Sequence, residues 1–370
     1  MKIQLIFLAL VSPVFLTAQD HSHNYPGTIS YPDIPGYKTL KTDLHQHTVF
    51  SDGNVWPTIR VMEALRDNLD VISLTEHLEY QPHSEDIPHS DRNRAYELAL
   101  NEAKDHDLLV INGSEITRSE PMGHSNAVFI ADANALLDEK AENAFAAAKE
   151  QNAFVFWNHP AWYPQNPSGN PYLSDFQKER IKNGELHGIE VINERDYAEE
   201  SLALALENNL TIMGTSDIHG LIDWHYTEKG HDRPITLVFA KEKTMVSVKE
   251  GLFAGRTVAV FDDLLVGKEE NLMPLLQACI KITEAAYIPN TQILKVTLEN
   301  VSSADLLFKN QMPYSFYSSP EVFTVPAMET KTLQIKTLKV LTEIELKLSA
   351  IKTYVAPKTH AVLSRQVKVE

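Results

Sequence analysis

Residues 40–48 have the sequence L-K-T-D-L-H-Q-H-T, in which a short apolar run ends directly in two histidines, His45 and His47. Similar apolar runs recur to about residue 215, and runs of this length with β-branched residues are typical of strands buried on both faces. Helical patterns lie between them. Repeated strand–helix units predict an α/β fold with a parallel sheet, and this many units favour a closed barrel. The runs lie near residues 40–44, 71–74, 108–112, 154–157, 188–192 and 210–214.

Three helices between these runs are marked by their own signals. Pro57 can occupy the first turn of one helix, and the alanine-rich stretch 142–151 predicts another. Asp196, with Glu199 three residues later, resembles a capping box that opens a helix through Leu206.

The pattern changes after about residue 265. Apolar residues then alternate with polar ones, as in L-K-V-T-L at 294–298, and Pro, Asn and Ser separate these runs. Such period-two runs predict a small antiparallel β-sandwich over residues 270–370. This part contains no cluster of catalytic residue types, so we expect a structural or docking module after a barrel at 40–265.

Composition excludes several classes of protein. The 370 residues include 33 Lys and Arg against 50 Asp and Glu, a formal net charge of −17 that disfavours nucleic acid as a partner. The single cysteine, Cys279, excludes an intrachain disulfide and a cysteine-rich zinc site, and its apolar neighbours indicate a buried side chain. The sequence indicates no particular oligomeric state.

The first 19 residues have one lysine followed by an apolar stretch and small residues, a pattern typical of a secretory signal peptide. We expect cleavage near Ala18 or Gln19, an N-terminal extension at 20–39, and an exported periplasmic or extracellular protein with no membrane span after cleavage. An uncleaved N-terminal anchor is the alternative.

Metal-binding residue types follow directly after the apolar runs. Because the carboxyl ends of parallel strands open on one face of a barrel, side chains spread over some 170 positions would converge there. The two histidines of H-Q-H point to the same side of an extended chain and can reach one ion. The residues concerned are His45, His47, Glu76, His77, Glu115, His159, Asp217 and His219.

His, Asp and Glu ligands without cysteine suit Zn, Mn or Fe. The set is too large for one ion and predicts two or three sites, in which a carboxylate such as Glu115 can bridge. Two ions about 3.5–4 Å apart can share a hydroxide and hold the attacking and leaving oxygens of an in-line displacement, which is phosphoester chemistry.

These motifs, in this order, resemble the PHP (polymerase and histidinol phosphatase) family over about residues 40–260. The resemblance rests on His-x-His, the S-D-G turn, a histidine and a glutamate after strands, G-H, H-P and S-D-x-H. It implies a distorted seven-stranded (β/α) barrel with up to three metals. Longer stretches, such as S-L-T-E-H-L-E-Y-Q-P-H, are similar to an exported branch of bacterial phosphodiesterases that act on small phosphodiesters, including organophosphate diesters.

The resemblance also implies a set of ligands. The first ion would bind to His45, His47, Glu115 and Asp217, and the second to Glu115, His124 and His159. The third would bind to Asp52, His77 and His219. His124 has the weakest signal, because it precedes an apolar run instead of following one. The family usually has Asp-His where this chain has Glu76-His77, and we expect Glu76 to orient a ligand.

A hydroxide between the first two ions would then attack phosphorus in line, with Asp217 able to take its proton. Arg118 is the first candidate for a phosphate contact and Arg233 the second. Trp162 and Trp224 follow site motifs and could shape a pocket for a hydrophobic ester group, or pack locally.

The leading hypothesis is a metal-dependent phosphodiesterase with a small phosphate ester as its substrate. The alternatives are a phosphomonoesterase of the histidinol-phosphatase type, a nuclease, which the net charge disfavours, and a non-catalytic exported binding protein.

Overall fold

The structure, a computed structural model, describes residues 29–369. The predicted signal peptide at 1–19 and residues 20–28 of the N-terminal extension lie outside the described residues. Short strands and helices alternate in the first two thirds of this region, and strands predominate in the last third. In chain order the strands are β1 (Lys38–Asp43), β2 (Val71–Leu74), β3 (Leu109–Ile116), β4 (Ser125–Val128), β5 (Phe154–Trp157), β6 (Gly188–Asn193), β7 (Asp196–Tyr197), β8 (Thr211–Thr215), β9 (Ile235–Ala240), β10 (Thr257–Phe261), β11 (Leu264–Gly267), β12 (Ile280–Tyr287), β13 (Ile293–Asn300), β14 (Leu306–Asn310), β15 (Val322–Val325), β16 (Thr330–Lys336), β17 (Glu343–Ala356) and β18 (Thr359–Lys368).

The helices are short and amphipathic, and they pack an apolar stripe against the strands. Pro57 is the first residue of α1, as predicted, because its missing N–H would have no partner in the first turn. None of the helices between residues 29 and 369 has the length and hydropathy needed to cross a bilayer. The helices are α1 (Pro57–Arg66), α2 (Arg94–Ala103), α3 (Ala141–Glu150), α4 (Asp175–Lys182), α5 (Glu199–Glu207), α6 (Ile222–His225), α7 (Met245–Phe253) and α8 (Glu269–Cys279).

The barrel sheet mixes parallel and antiparallel strands. β1, β2 and β3 are parallel neighbours, and β5, β6 and β8 form a second parallel set. β4 joins the two sets as an antiparallel strand between β3 and β5. Beyond their ends β1 and β8 approach each other, where Gln46 pairs with Ile218 and the His47 N–H donates to the Ile218 carbonyl at 3.0 Å. The α/β fold with a parallel-rich sheet that the sequence predicts is confirmed.

The prediction for the start of α5 was wrong. Asp196 lies in the two-residue strand β7, paired back onto β6, and the helix begins at Glu199. The backbone at Glu194 has a positive φ of 50°, so the chain turns sharply there and forms a short hairpin before the helix.

From Ile280 onward the C-terminal part is all-β, as predicted, whereas residues 270–279 of the predicted sandwich belong to helix α8. This β-rich part is not a separate layer. β12, β13 and β16 form their own antiparallel sheet, whereas the long strand β17 pairs in parallel with β11, next to the barrel strand β10. One apolar cluster accordingly contains Leu237 and Val258 from the barrel together with Phe308 and Leu346 from the C-terminal part. Cys279 is buried in the same cluster, as expected from its apolar neighbours.

Candidate metal centre

The strand ends bring the predicted side chains to one end of the barrel. His45 and His47 follow β1, His77 follows β2, His159 follows β5, and Asp217 follows β8. His159 and Asp217 have positive φ angles of 28° and 48°, so the chain bends abruptly where it presents these ligands.

The antiparallel strand β4 explains how His124 reaches the same end. A strand that runs antiparallel to its neighbours begins at the end where they finish, and His124 directly precedes Ser125, the first residue of β4. Asp52 reaches the site from the S-D-G turn. A Cβ on Gly53 would lie 2.6 Å from the Thr48 amide nitrogen, so this turn requires glycine.

All nine residues that the sequence predicts as ligands come together in four overlapping groups, each with potential ligand atoms within 4.8 Å of one another. The groups share His45, His47, His77 and Glu115, so they form one continuous cluster of imidazoles and carboxylates. The groups are His45, His47 and Asp217; His45, Glu115 and His159; His77, Glu115 and His124; and His47, Asp52, His77 and His219.

The first group has the spacing of ligands on a single ion. His45 Nε2 and His47 Nε2 each lie 3.1 Å from Asp217 Oδ1 and 3.1 Å from each other. Two ligands about 2.1 Å from a tetrahedral ion would be about 3.4 Å apart. Both imidazoles are completely buried, so water does not compete for these nitrogens.

Glu115 lies at the centre of the cluster. Its Oε2 is 2.6 Å from His77 Nδ1, and its Oε1 is 3.1 Å from His124 Nδ1 and 3.6 Å from His159 Nε2. Asn158 Nδ2 donates to Oε1 at 2.7 Å and fixes the carboxylate. With histidines at both oxygens, Glu115 has the arrangement of a bridging ligand.

Asp52 stands between the outermost histidines. Its Oδ1 is 3.2 Å from His219 Nε2, and its Oδ2 is 3.4 Å from His77 Nε2. The structure adds His47 to the set of Asp52, His77 and His219 that the resemblance implies. It also divides the implied set of Glu115, His124 and His159, because the two histidines fall in different groups.

A buried carboxylate that the sequence analysis missed orients this cluster. Glu190 Oε1 lies 2.8 Å from His45 Nδ1 and accepts from Thr215 Oγ1 at 2.6 Å, and its Oε2 accepts from the His159 N–H at 2.7 Å. These bonds direct His45 Nε2 toward Asp217. The available signal was a lone acid inside the apolar run G-I-E-V-I-N.

Glu76 does not belong to any of the four groups. Its carboxylate accepts from the Thr48 N–H at 3.1 Å and from Ser51 Oγ at 2.5 Å, and Ser51 Oγ lies 3.3 Å from His47 Nδ1. Glu76 therefore holds His47 through Ser51, which agrees with the orienting role expected for it.

The cluster strongly favours ionised carboxylates. Burial raises the pKa of the Asp217 carboxyl, but His45 and His47 outweigh this effect and hold it well below its usual range. Burial lowers the pKa of His77, but Glu115 and Asp52 raise it to about 11. A metal ion binds to unprotonated imidazole and must displace such protons.

Neither predicted arginine contacts the cluster. Arg118 forms an ion pair with Glu79 at 2.7 Å and donates to the main-chain carbonyls of Asp138 and Glu139. Its proposed contact with phosphate stays a prediction that would require this ion pair to break. The assignment of Arg233 was wrong, because its guanidinium is completely buried in an ion pair with Asp43 at 2.6 Å.

The two tryptophans differ in their exposure and in their contacts with the ligand histidines. Trp162 is 46% exposed, and its ring centroid lies 5.1 Å from that of His159 and 6.0 Å from that of His124. Trp224 lies on α6 and is 61% exposed. Of the two tryptophans, Trp162 is thus the one with ring contacts to the ligands.

Both parts of the chain are similar to known proteins. A profile described as an Ig-like domain matches residues 280–366. The crystal structure of a two-domain protein containing a predicted PHP-like metal-dependent phosphoesterase from Bacteroides vulgatus is 39% identical in sequence. That similarity covers 92% of this chain and 98% of the other, with a TM-score of 0.86. No curated protein matches the chain.

More distant similarities add nothing to this assignment. PsfC from Pseudomonas syringae is 17% identical over 59% of this chain and 88% of its own, and the lesion-specific endonuclease PfuEndoQ from Pyrococcus furiosus is 14% identical over 67% and 62%. Both have a TM-score of 0.42, which is too low to support a conclusion.

Proposed function

The chain belongs to the two-domain PHP-like metal-dependent phosphoesterases, and we propose that its substrates are small phosphodiesters. The observation that carries this proposal is the convergence of nine buried or half-buried ligand residues on one end of the barrel, with Glu115 between two sets of histidines. Phosphoester hydrolysis is the chemistry of the family, and the preference for diesters is the finer proposal.

The residues present fit divalent metal ions. Asp52 Oδ1, Glu115 Oε2 and Asp217 Oδ1 are buried and have no hydrogen-bond partner of good geometry within residues 29–369, although histidine nitrogens surround them. Buried carboxylate oxygens normally have hydrogen-bond partners, and bound cations would serve as partners for these three oxygens. We propose two to three ions of Zn, Mn or Fe, of which Zn or Mn fit the donor set best. Bound ions would stabilise negative charge on the phosphate oxygens and lower the pKa of a bound water.

The chain's own groups prepare the site. Glu190 fixes His45, Glu76 fixes His47 through Ser51, and Asn158 fixes Glu115, so the ligand atoms are held in place before a substrate binds. Asp217 is ionised, and its Oδ1 has no hydrogen-bond partner of good geometry within residues 29–369, so we propose that this oxygen accepts the proton of the attacking water.

The scarcity of cations near the cluster supports a diester over a monoester. Within the described residues, no ligand side chain forms an ion pair or hydrogen bond with lysine or arginine: Arg118 and Arg233 pair with acids elsewhere, and Arg60 Nε donates only to the main-chain carbonyl of His47, at 3.0 Å. A diester carries one negative charge, whereas a monoester carries up to two near neutral pH. The smaller charge needs less compensation.

We further propose that the protein acts outside the cytoplasm, because residues 1–19 have the pattern of a signal peptide. The net charge of −17 supports a small-molecule substrate over nucleic acid.

The test compares kcat/KM for bis(p-nitrophenyl) phosphate and p-nitrophenyl phosphate on protein loaded with Mn or Zn. We expect a diester preference of about tenfold or more, equal to about 1.4 kcal/mol of transition-state binding. His45→Ala is the control and should lose both activity and bound metal. A monoester preference would move the assignment to a phosphatase, and a fully active His45→Ala variant would exclude this site.

A further inference from the structure

A small cavity opens beside His159, between the loop that carries Trp162 and the chain that leaves β6. Its volume is about 60 Å³, which holds about four or five groups the size of a water molecule. Since His159 belongs to the ligand cluster, a phosphodiester held there could place one ester substituent in this cavity. It is lined by His159, Pro160, Ala161, Trp162, Glu190, Val191, Asn193, Asp196 and Ala198.

The lining combines an aromatic ring with an acid. Trp162 keeps about half of its surface exposed although its ring contacts His159. Asp196, an exposed residue that also lines the cavity, has a carboxylate that forms no hydrogen bond or ion pair with any residue between 29 and 369. An aromatic ring and an unpaired carboxylate that line the same cavity form an environment suited to an ammonium group.

The segment that carries Asp196 is acidic, although Asp196 is its acid that lines the cavity. Residues 194–200 have the sequence E-R-D-Y-A-E-E, with four acids and one arginine. Arg195 does not neutralise them at the cavity, since its guanidinium donates to the His225 carbonyl and lies 5.8 Å from the Tyr226 ring. The negative charge of this segment adds to that of Asp196, so it disfavours a purely anionic substrate and favours one whose ester group is cationic.

We propose that this cavity binds the ammonium end of an amino-alcohol ester, so that the preferred substrate is a zwitterionic phosphodiester of the choline or ethanolamine type. This inference rests on the proposed phosphodiesterase function and names its substrate class. Trp162 and Asp196 are then specificity-determining residues, with the ammonium group against the indole ring and near the carboxylate.

The kinetic test uses two substrates that differ in a single charge. p-Nitrophenyl phosphocholine has a trimethylammonium group, and p-nitrophenyl 3,3-dimethylbutyl phosphate has an uncharged tert-butyl group of the same shape. In both, water adds to phosphorus and the bond to the aryl oxygen breaks. Nitrophenolate leaves with the bonding electrons, and the protons go to solvent. We expect kcat/KM to be about tenfold higher for the choline ester, in the upper range of a cation–π contact combined with an ionic one.

Variants assign the preference to the cavity. Trp162→Leu and Asp196→Asn should each bring the ratio of the two kcat/KM values close to one. Tyr163→Leu and Asp105→Asn are matched controls, because each removes an exposed group of the same type that does not line the cavity. Both controls should keep the ratio. Equal kcat/KM values for the two esters in the unmodified protein would overturn the inference and leave the phosphodiesterase function intact.

A binding measurement separates the two proposals. Titration calorimetry would compare phosphocholine with 3,3-dimethylbutyl phosphate on the full chain, without any turnover. Tighter binding of phosphocholine that is lost in Asp196→Asn supports the cavity assignment even for a protein that hydrolyses neither ester. Equal affinities would overturn it.

The source of the amino-alcohol ester is tested with glycerophosphocholine in solution and with phosphatidylcholine vesicles, by measuring released choline and phosphocholine. Turnover of the vesicles indicates a lipid headgroup, and turnover of glycerophosphocholine alone indicates a free diester. Turnover of neither would overturn the proposed substrate class.

Discussion

Two regions of this protein's central sheet, its metal-binding end and its edge at the Ig-like domain, are built in opposite ways. At the metal-binding end, buried positions hold imidazoles and carboxylates, and the backbone at His159 and Asp217 bends through positive φ angles. At the junction with the Ig-like domain, β17 pairs with β11, and side chains such as Leu265 and Leu346 join one apolar cluster.

The difference separates function from stability. Buried polar groups without partners cost free energy, so the ligand cluster is a place where the fold is weakened until a cation binds. The apolar junction supplies free energy of burial instead. The Ig-like domain is therefore part of the fold that supports the site, and the changes below test this division from the largest expected effect to the smallest.

Deletion of the Ig-like domain should have the largest effect. Truncation after Cys279, which keeps helix α8, removes the pairing of β17 with β11 and uncovers much of the shared cluster. A domain has a net stability of only about 5–15 kcal/mol, so we expect no soluble folded barrel. Solubility, circular dichroism and metal content of the truncated chain would check this.

A milder change in the same cluster gives the control. Phe308→Ala, at a completely buried position, should lower the free energy of unfolding by about 3–5 kcal/mol and leave metal binding of the folded fraction unchanged. A soluble truncated barrel with full metal content would contradict the division and make the Ig-like domain a separate docking module.

The pH dependence of stability should reverse when metal is removed. The pKa of His77 is about 11 in the folded protein, well above its unfolded value of about 6.5. The contribution of His77 to the free energy of unfolding is complete below about pH 6.5. It is lost as the pH rises toward 11, by up to about 1.4 kcal/mol per pH unit. Chelated protein should therefore be less stable at pH 8.5 than at pH 6.5.

Metal-loaded protein should show the opposite trend over the same range, because bound metal requires unprotonated imidazoles. Urea denaturation at both pH values, with and without metal, measures both slopes. His77→Gln should flatten the slope of the chelated protein. An identical slope in the unmodified protein and in His77→Gln would show that His77 is not the group that titrates.

Glu190→Gln should weaken metal binding about 10- to 100-fold, the usual effect of losing a carboxylate that orients a ligating histidine. The neutral amide is nearly the same size, so the fold should persist. Competition with a chelator gives the affinity. Glu185→Gln is the control, since Glu185 is also buried but is paired with Arg180 at 3.1 Å outside the cluster. An equal loss of metal affinity in both variants would show that a less stable fold causes the effect, and not the loss of the orienting carboxylate.

The contrast between these two regions also explains what could be predicted from sequence. His45, His77 and Asp217 were found because each ligand follows its own strand, a local signal that a parallel fold converts into proximity. Glu190 was missed because its role depends on β6 lying beside β8, which carries Thr215.

The junction could not be predicted for the same reason. Residues 343–356 have the alternation of a sandwich strand, and nothing local indicates that their last residues pair with β11, almost 90 positions earlier. Arg233 was misassigned because its partner Asp43 lies 190 residues away. A cationic side chain near a motif is equally compatible with a buried ion pair.

The smallest effect tests where the two regions meet. The turn between β17 and β18 reaches the wall of the ammonium cavity: the ring of Tyr354 stacks on Tyr197 at 5.6 Å, and the Lys358 N–H donates to Glu199 Oε1 at 2.7 Å. Tyr354→Leu should lower the free energy of unfolding by about 0.5–1.5 kcal/mol, the value of an aromatic pair. It should also lower kcat/KM for p-nitrophenyl phosphocholine by less than about tenfold, because the segment carrying Asp196 loses its support.

Tyr317→Leu, which removes an exposed ring elsewhere in the Ig-like domain, is the matched control and should change neither quantity. If Tyr354→Leu lowers stability and leaves kcat/KM unchanged, the Ig-like domain supports the barrel without positioning its site.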